Sequence, residues 1–235
     1  VLPTAEMAAA VALEWDAQDG VIDPLTMPVT RGANAALDKV TIQKAEVVEM
    51  LAAYGDSDLL CYRAAGPDEL VELQRKAWDP LLDWAATELR APLISAEGVM
   101  HVPQDPAVLQ RLTQEVDQLS VFALAGFHDL VSLSGSLILA LAVIRGRLSA
   151  EDAWDLSRVD EAYQISQWGA DDEATEMAEI KRDAFCHAEQ FYKMSNSCRI
   201  MFVTKNIGLN LIFLSFLNRC FIKFFLKNLN FIRPL

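Results

Sequence analysis

The stretch from Leu148 to Met194, LSAEDAWDLSRVDEAYQISQWGADDEATEMAEIKRDAFCHAEQFYKM, decides how this chain folds. Its apolar residues recur at steps of three and four rather than at alternate positions, which is the signature of helix and not of strand. Ser149 and Asp152 stand three apart as a capping pair, and Gly169 follows the last apolar position as a stop. Asp171, Asp172 and Glu173 then crowd the start of a second helix, where carboxylates meet the positive end of the helix dipole. The pattern predicts helices over 149–168 and 171–193.

Working outward, the same periodicity predicts helices over 106–119 and 121–145. The segment 121–144 is apolar and long enough to cross a bilayer. It carries His128 and Asp129, however, and a carboxylate in hydrocarbon costs a few kcal/mol, so it reads as a central core helix with Gly135 allowing a close approach. Nearer the start, Thr4 opens a helix to about Gln18, and a second helical stretch runs over 27–54. Gly66-Pro67-Asp68-Glu69 is a helix start, and Asp79-Pro80 reads as another. A short apolar run bounded by turn residues predicts a buried strand near 58–65, and a hairpin is expected near 92–103 that could pair with it. The fold class is α+β and predominantly helical, a helical bundle with a few short strands.

Charge divides the chain in two. All 33 Asp and Glu precede residue 195, together with 14 of the 20 Lys and Arg, whereas the last 41 residues hold six basic residues and no acidic one. Residues 1–194 therefore form an acidic body that phosphate backbones and anionic lipid would repel, which argues against nucleic acid or membrane as its partner. Residues 195–235 are a basic, hydrophobic tail whose alphabet, rich in Phe, Leu, Ile and Asn, is foreign to the Ala-, Asp- and Glu-rich body. Two readings of the tail stand open: unrelated sequence, or a membrane-associated segment. The first basic residue is Arg31, so no secretion signal is visible, and Val at position 1 with a helix cap at Thr4 is the pattern expected of a chain that begins in mid-architecture.

Catalytic motifs fail one by one. There is no G-x-G-x-x-G, no phosphate-binding loop, no H-E-x-x-H and no G-x-S-x-G. Ser134-Gly135-Ser136 looks like half of a nucleophile elbow but lies in an apolar helix. His128 and Asp129 are adjacent helical positions, which are not expected to face each other. The four cysteines show no zinc spacing. No catalytic residue, metal or cofactor is expected, although a hydrolase without a recognisable motif remains an alternative.

Binding has a stronger signal. Trp154, Arg158, Glu161, Ile165 and Trp168 step by four and three and so share one stripe of the helix from Ser149, while Leu156, Val159 and Tyr163 form a nearly opposite face. If one face enters the core, the other is either a second buried contact or a binding surface with Trp anchors beside a charge pair. Trp78 and Trp84 flank Asp79-Pro80 and offer a second candidate surface.

Five blocks carry a resemblance: EWDAQDGVIDPLTMPVTRGANAALD at 14–38, CYRAAGPDELVELQRKAWDPLLDWA at 61–85, EGVMHVPQ at 97–104, LVSLSGSLILALAV at 130–143 and LSAEDAWDLSRVDEAYQISQWGADDEA at 148–174. In this order they resemble the F1-ATPase assembly chaperones that escort the alpha subunit of ATP synthase, over about Leu2 to Tyr192. The resemblance implies a protein that holds the unassembled alpha subunit and releases it as the beta subunit arrives. It implies a bacterial cytoplasmic setting, or the mitochondrial matrix in a eukaryote. It also implies a strand-rich amino-terminal portion that is missing ahead of Leu2. By analogy it places functional weight on Asp160, Glu161, Gln164, Trp168, Gly169, Asp171 and Glu173, as contact residues.

Overall fold

Residues 1–196 are described by the structure, a computed structural model. The tail predicted from 195 onward therefore lies outside the described residues, apart from Ser195 and Asn196. Val1–Arg31 and Gly32–Asn196 fall into separate units. In the first, Thr4 Oγ1 accepts the Met7 N–H at 3.1 Å and starts α1 (Ala5–Asp16) where the cap predicts. The Glu14 carboxylate accepts the N–H groups of Val29 and Thr30, each at 2.7 Å. These are unpaired donors in the first turn of α2 (Pro28–Ala35), so a charged side chain satisfies what the helix itself cannot.

The stretch expected as one helix over 27–54 is interrupted. After α2 the chain widens into a π turn at Ala36–Val40 and restarts as α3 (Lys44–Ala52). Val40, Thr41 and Ile42 are β-branched in succession, which weakens a regular helix. Thr41 also draws the turn open, since its N–H and its hydroxyl both donate to the Ala36 carbonyl, at 2.9 and 2.8 Å.

Two corrections concern the strands. Leu59–Cys61 is a 3-10 turn, and only Tyr62–Arg63 is extended, as β1. After α4 (Asp68–Glu88) comes β2 (Ala96–Glu97), which pairs with β1 in parallel, Tyr62 opposite Ala96. The region 92–103 does pair with the strand near Cys61, but it forms no hairpin. Gln104 explains this: its side chain accepts the Ile94 N–H and donates to the Ile94 carbonyl, both at 2.8 Å, and so takes the groups a returning strand would need. His101 fastens the same loop, with Nδ1 3.2 Å from Tyr62 Oη and Nε2 3.2 Å from the Asp56 carboxylate.

Asp79-Pro80 does not start a helix, because α4 runs through it. An internal proline costs about 3 kcal/mol, and the burial of Trp78, Leu81 and Ala85 on one face of the same helix offsets it. Asp79 instead pairs with Arg63 at 2.9 Å.

The remaining helices are α5 (Pro106–Asp117), α6 (Val121–Ser134), α7 (Leu137–Ile144), α8 (Ala150–Ser157), α9 (Val159–Trp168) and α10 (Asp172–Asn196). The expected core helix over 121–145 is thus two helices. Gly135 adopts φ +70°, a left-handed conformation that ends α6, and Ser136 caps α7. The fully buried Asp58 holds this break: its carboxylate accepts from Ser136 Oγ at 2.7 Å, from the Ile138 N–H at 3.0 Å and from the Leu60 N–H at 3.0 Å. Burial pushes the Asp58 pKa up to about 6 even though those hydrogen bonds pull it down.

Helices α6 and α7 supply the centre of the core, with Phe127, Leu130, Leu137, Ile138 and Leu139 fully buried. Helix α10 lies along α6, and Gly126 permits the approach, since a β-carbon there would sit 3.1 Å from the Ala188 carbonyl oxygen and 3.1 Å from the Phe191 ring. That packing anchors the second half of α10 and leaves its first half to shape the site.

Candidate partner-binding groove

The helix expected over 149–168 breaks once, at Arg158, whose φ of −114° and ψ of 18° separate α8 from α9. Ser149 Oγ accepts the Asp152 N–H at 3.0 Å and starts α8 as predicted. Gly169, at φ +86°, ends α9, and Asp171 Oδ1 accepts the Ala174 N–H at 2.8 Å to start α10. The chain therefore doubles back, and a groove of about 470 Å³ opens between α8–α9 and the first half of α10.

The Trp154–Trp168 stripe survives the break, because Trp154, Arg158, Glu161, Ile165 and Trp168 all line this groove. Trp154 is its buried base, stacked in a tilted contact on Phe185 with ring centres 5.8 Å apart. Arg158 lies with its guanidinium carbon 5.7 Å from the Trp154 ring centre and donates to Glu161 Oε1 at 2.8 Å. Toward the rim the side chains open to solvent, with Ile165 47% and Trp168 80% exposed. Alanines 162, 174 and 178 line the trough, and their small volume is why two facing helices leave space between them.

Of the residues singled out from the sequence, Trp154, Glu161, Gln164, Trp168, Gly169 and Asp171 come together here. Four do not. Asp160 turns to α4, where it accepts from Gln74 Nε2 at 2.6 Å, and Gln74 in turn accepts the Ala64 N–H. Glu173 is exposed on α10 outside the groove. Trp78 is 1% exposed and donates its indole N–H to the Leu156 carbonyl at 2.8 Å, and Trp84 packs half-buried against the core. Sequence reasoning missed the opposite wall, Ala174, Thr175, Ala178, Glu179 and Arg182, although these positions share a face of α10 at steps of three and four.

Groups that could do chemistry are disposed for structure. Ser134 and Ser136 are buried, their hydroxyls donating to the Leu130 carbonyl and to Asp58. Burial, followed by the nearby Asp58 charge, pushes the Cys61 thiol up to about 12, far from a reactive thiolate. His128 and Asp129 do meet, contrary to expectation, with Nδ1 2.9 Å from Oδ1, and this hydrogen bond raises the His128 pKa. The pair lies apart from the groove. Among the described residues no group of three or more His, Cys, Asp or Glu could hold a metal ion, and no helix is long and apolar enough to cross a membrane.

A helical scaffold with an open groove, acidic and apolar along its walls, offers a surface suited to binding protein. The comparisons with known proteins place the chain among chaperones. The family model described as ATP12 chaperone protein matches residues 1–86. The chain is similar to the crystal structure of Atp12 from Paracoccus denitrificans, with 52% identity, a TM-score of 0.80 and coverage of 83% of each chain. It is similar also to a proposed chaperone from Agrobacterium tumefaciens, with 40% identity, a TM-score of 0.77 and coverage of 83% of this chain and 73% of that one. The mitochondrial protein atp12 of Schizosaccharomyces pombe is 26% identical over an alignment of 181 residues that covers 73% of this chain and only 62% of that protein's length. The chain belongs to the ATP12 chaperone family.

Proposed function

We propose that the protein is an assembly chaperone of ATP synthase F1, that its partner is the unassembled alpha subunit, and that the groove between α8–α9 and α10 takes part in holding it. The observation that carries this reading is Trp168, a large indole left 80% exposed at the rim of an acidic groove. What sets it apart from other exposed apolar side chains is its place beside Ile165 in a concave groove rimmed by charged residues, the kind of apolar surface a partner covers. A subunit not yet assembled exposes apolar surface meant for its neighbours, and that surface drives aggregation. A chaperone contact of modest area covers it and yields to the larger permanent interface. The contact residues in this reading are Glu161, Gln164, Trp168, Gly169 and Asp171 at the groove, with Trp154 as its base. The setting is a bacterial cytoplasm, or the mitochondrial matrix in a eukaryote.

The test is light scattering of isolated alpha subunit diluted from denaturant, with and without the protein. Stoichiometric protein should suppress the scattering, and Trp168→Ser should suppress it several-fold less. An alpha subunit that aggregates equally with and without the wild-type protein contradicts the reading.

A further inference from the structure

The groove contains a cation site that one of its own residues fills. Arg158 rests between the Glu161 carboxylate, at 2.8 Å, and the face of Trp154, at 5.7 Å, which are the two kinds of group that recognise a guanidinium or ammonium. Its side chain is 32% exposed and that of Glu161 is 42% exposed, so the pair is weakly held and open to exchange. Acid also exceeds base in the groove: Asp155, Asp171 and Glu179 join Glu161, against Arg158 and Arg182. Ile165 and Trp168 follow Glu161 along the same face within two helical turns, roughly 10 Å. A basic group and a large apolar group on one side of a short segment would meet complementary partners at that spacing.

We propose that the groove binds a short amphipathic segment of the captured chain that bears an arginine or lysine beside large apolar side chains. Arg158 stands in for that cation in the free protein and gives up Glu161 and Trp154 when the segment arrives. The proposal rests on the chaperone reading above and specifies the chemistry of the same groove.

The test uses the full chain and a fluorescent helical peptide of leucine and arginine on an alanine background, followed by anisotropy, with light scattering of alpha subunit measured beside it. The Leu/Arg peptide should bind, and peptides with Arg replaced by Glu or Leu replaced by Ser should bind at least tenfold more weakly. Arg158→Gln should tighten binding about threefold, Glu161→Gln should weaken it about fivefold, and the double variant should behave as Glu161→Gln alone. If Arg158→Gln weakens binding as Glu161→Gln does, Arg158 is part of the site and not a stand-in, and the proposal falls. It falls also if the Glu-bearing peptide binds equally, or if the wild-type chain self-associates through a contact that Trp168→Ser abolishes, which would assign the groove to a second copy. Suppression of alpha-subunit aggregation without peptide binding overturns this inference and leaves the chaperone reading standing. Peptide binding as described without suppression supports the groove chemistry and overturns the chaperone reading.

Discussion

Asp160 and Glu161 are neighbours in the chain and point to different tasks: Asp160 accepts from Gln74 Nε2 at 2.6 Å, whereas Glu161 faces Arg158 in the groove. Gln74 is 1% exposed, so removing the Asp160 carboxylate strands a buried amide donor. Asp160→Ala should therefore cost about 1–3 kcal/mol. Glu161→Ala removes a half-exposed ion pair and should cost about 0–1 kcal/mol. Urea denaturation of the two variants checks the contrast, and equal losses would contradict it.

Two glycines, one within α6 and one just past its end, test different physics. A β-carbon at Gly135 would meet nothing within 4 Å, so Gly135→Ala should destabilise only by the left-handed backbone penalty at φ +70°, about 1–2 kcal/mol. At Gly126 alanine gains about 1 kcal/mol of helix propensity. It also presses on the Ala188 carbonyl and the Tyr192 N–H at 3.1 and 3.2 Å, both backbone groups that cannot rotate away. Overpacking of this kind costs about 1–3 kcal/mol, so a net loss is expected, and thermal melting should show it. An unchanged or raised melting temperature for Gly126→Ala would mean that α10 is less closely seated on α6 than described.

Asp58 makes stability depend on pH. Its pKa is about 6 in the folded protein against 3.8 as the ordinary value, so the native state holds a proton that the unfolded chain has released between those values. Folding is therefore penalised progressively as pH rises from about 4 to about 6, by on the order of 3 kcal/mol, and the penalty is constant above that. Asp58→Asn carries no such titration, though its amide turns a donor toward at least one of the donors that Asp58 accepts. Melting both proteins from pH 4 to pH 7.5 should show the variant gaining on the wild type up to about pH 6 and running parallel beyond. Parallel curves throughout would contradict this account.

What the sequence reveals depends on how local the cause is. Thr4, Ser149 with Asp152, and Gly169 act on groups three or four residues away, and the helix ends they mark lie where expected. The break at Gly135 was hidden because apolar residues continue on both sides and because Asp58, which stabilises it, is 78 and 80 residues away from its partners Ser136 and Ile138. The pairing of Tyr62 with Ala96 is likewise non-local, and Gln104 closes off the hairpin that the local pattern favours. In the groove, the tryptophan stripe was legible because a single bend at Arg158 preserves its face. The facing wall was not, because alanines at 174 and 178 give little apolar signal while creating the space.

Glu161→Lys decides whether the groove binds a partner or merely packs. The measurement is suppression of alpha-subunit aggregation by this variant, with its thermal melting recorded in the same buffer. Reversing this half-exposed charge gives up the pairing with Arg158, worth about 0–1 kcal/mol, and should move the melting temperature by no more than about 4 °C. Suppression should fall at least fivefold, because an interfacial charge left facing a like or unmatched group costs roughly 2 kcal/mol or more. Loss of suppression only in proportion to loss of folded protein, or suppression equal to that of the wild type, would contradict partner binding at the groove.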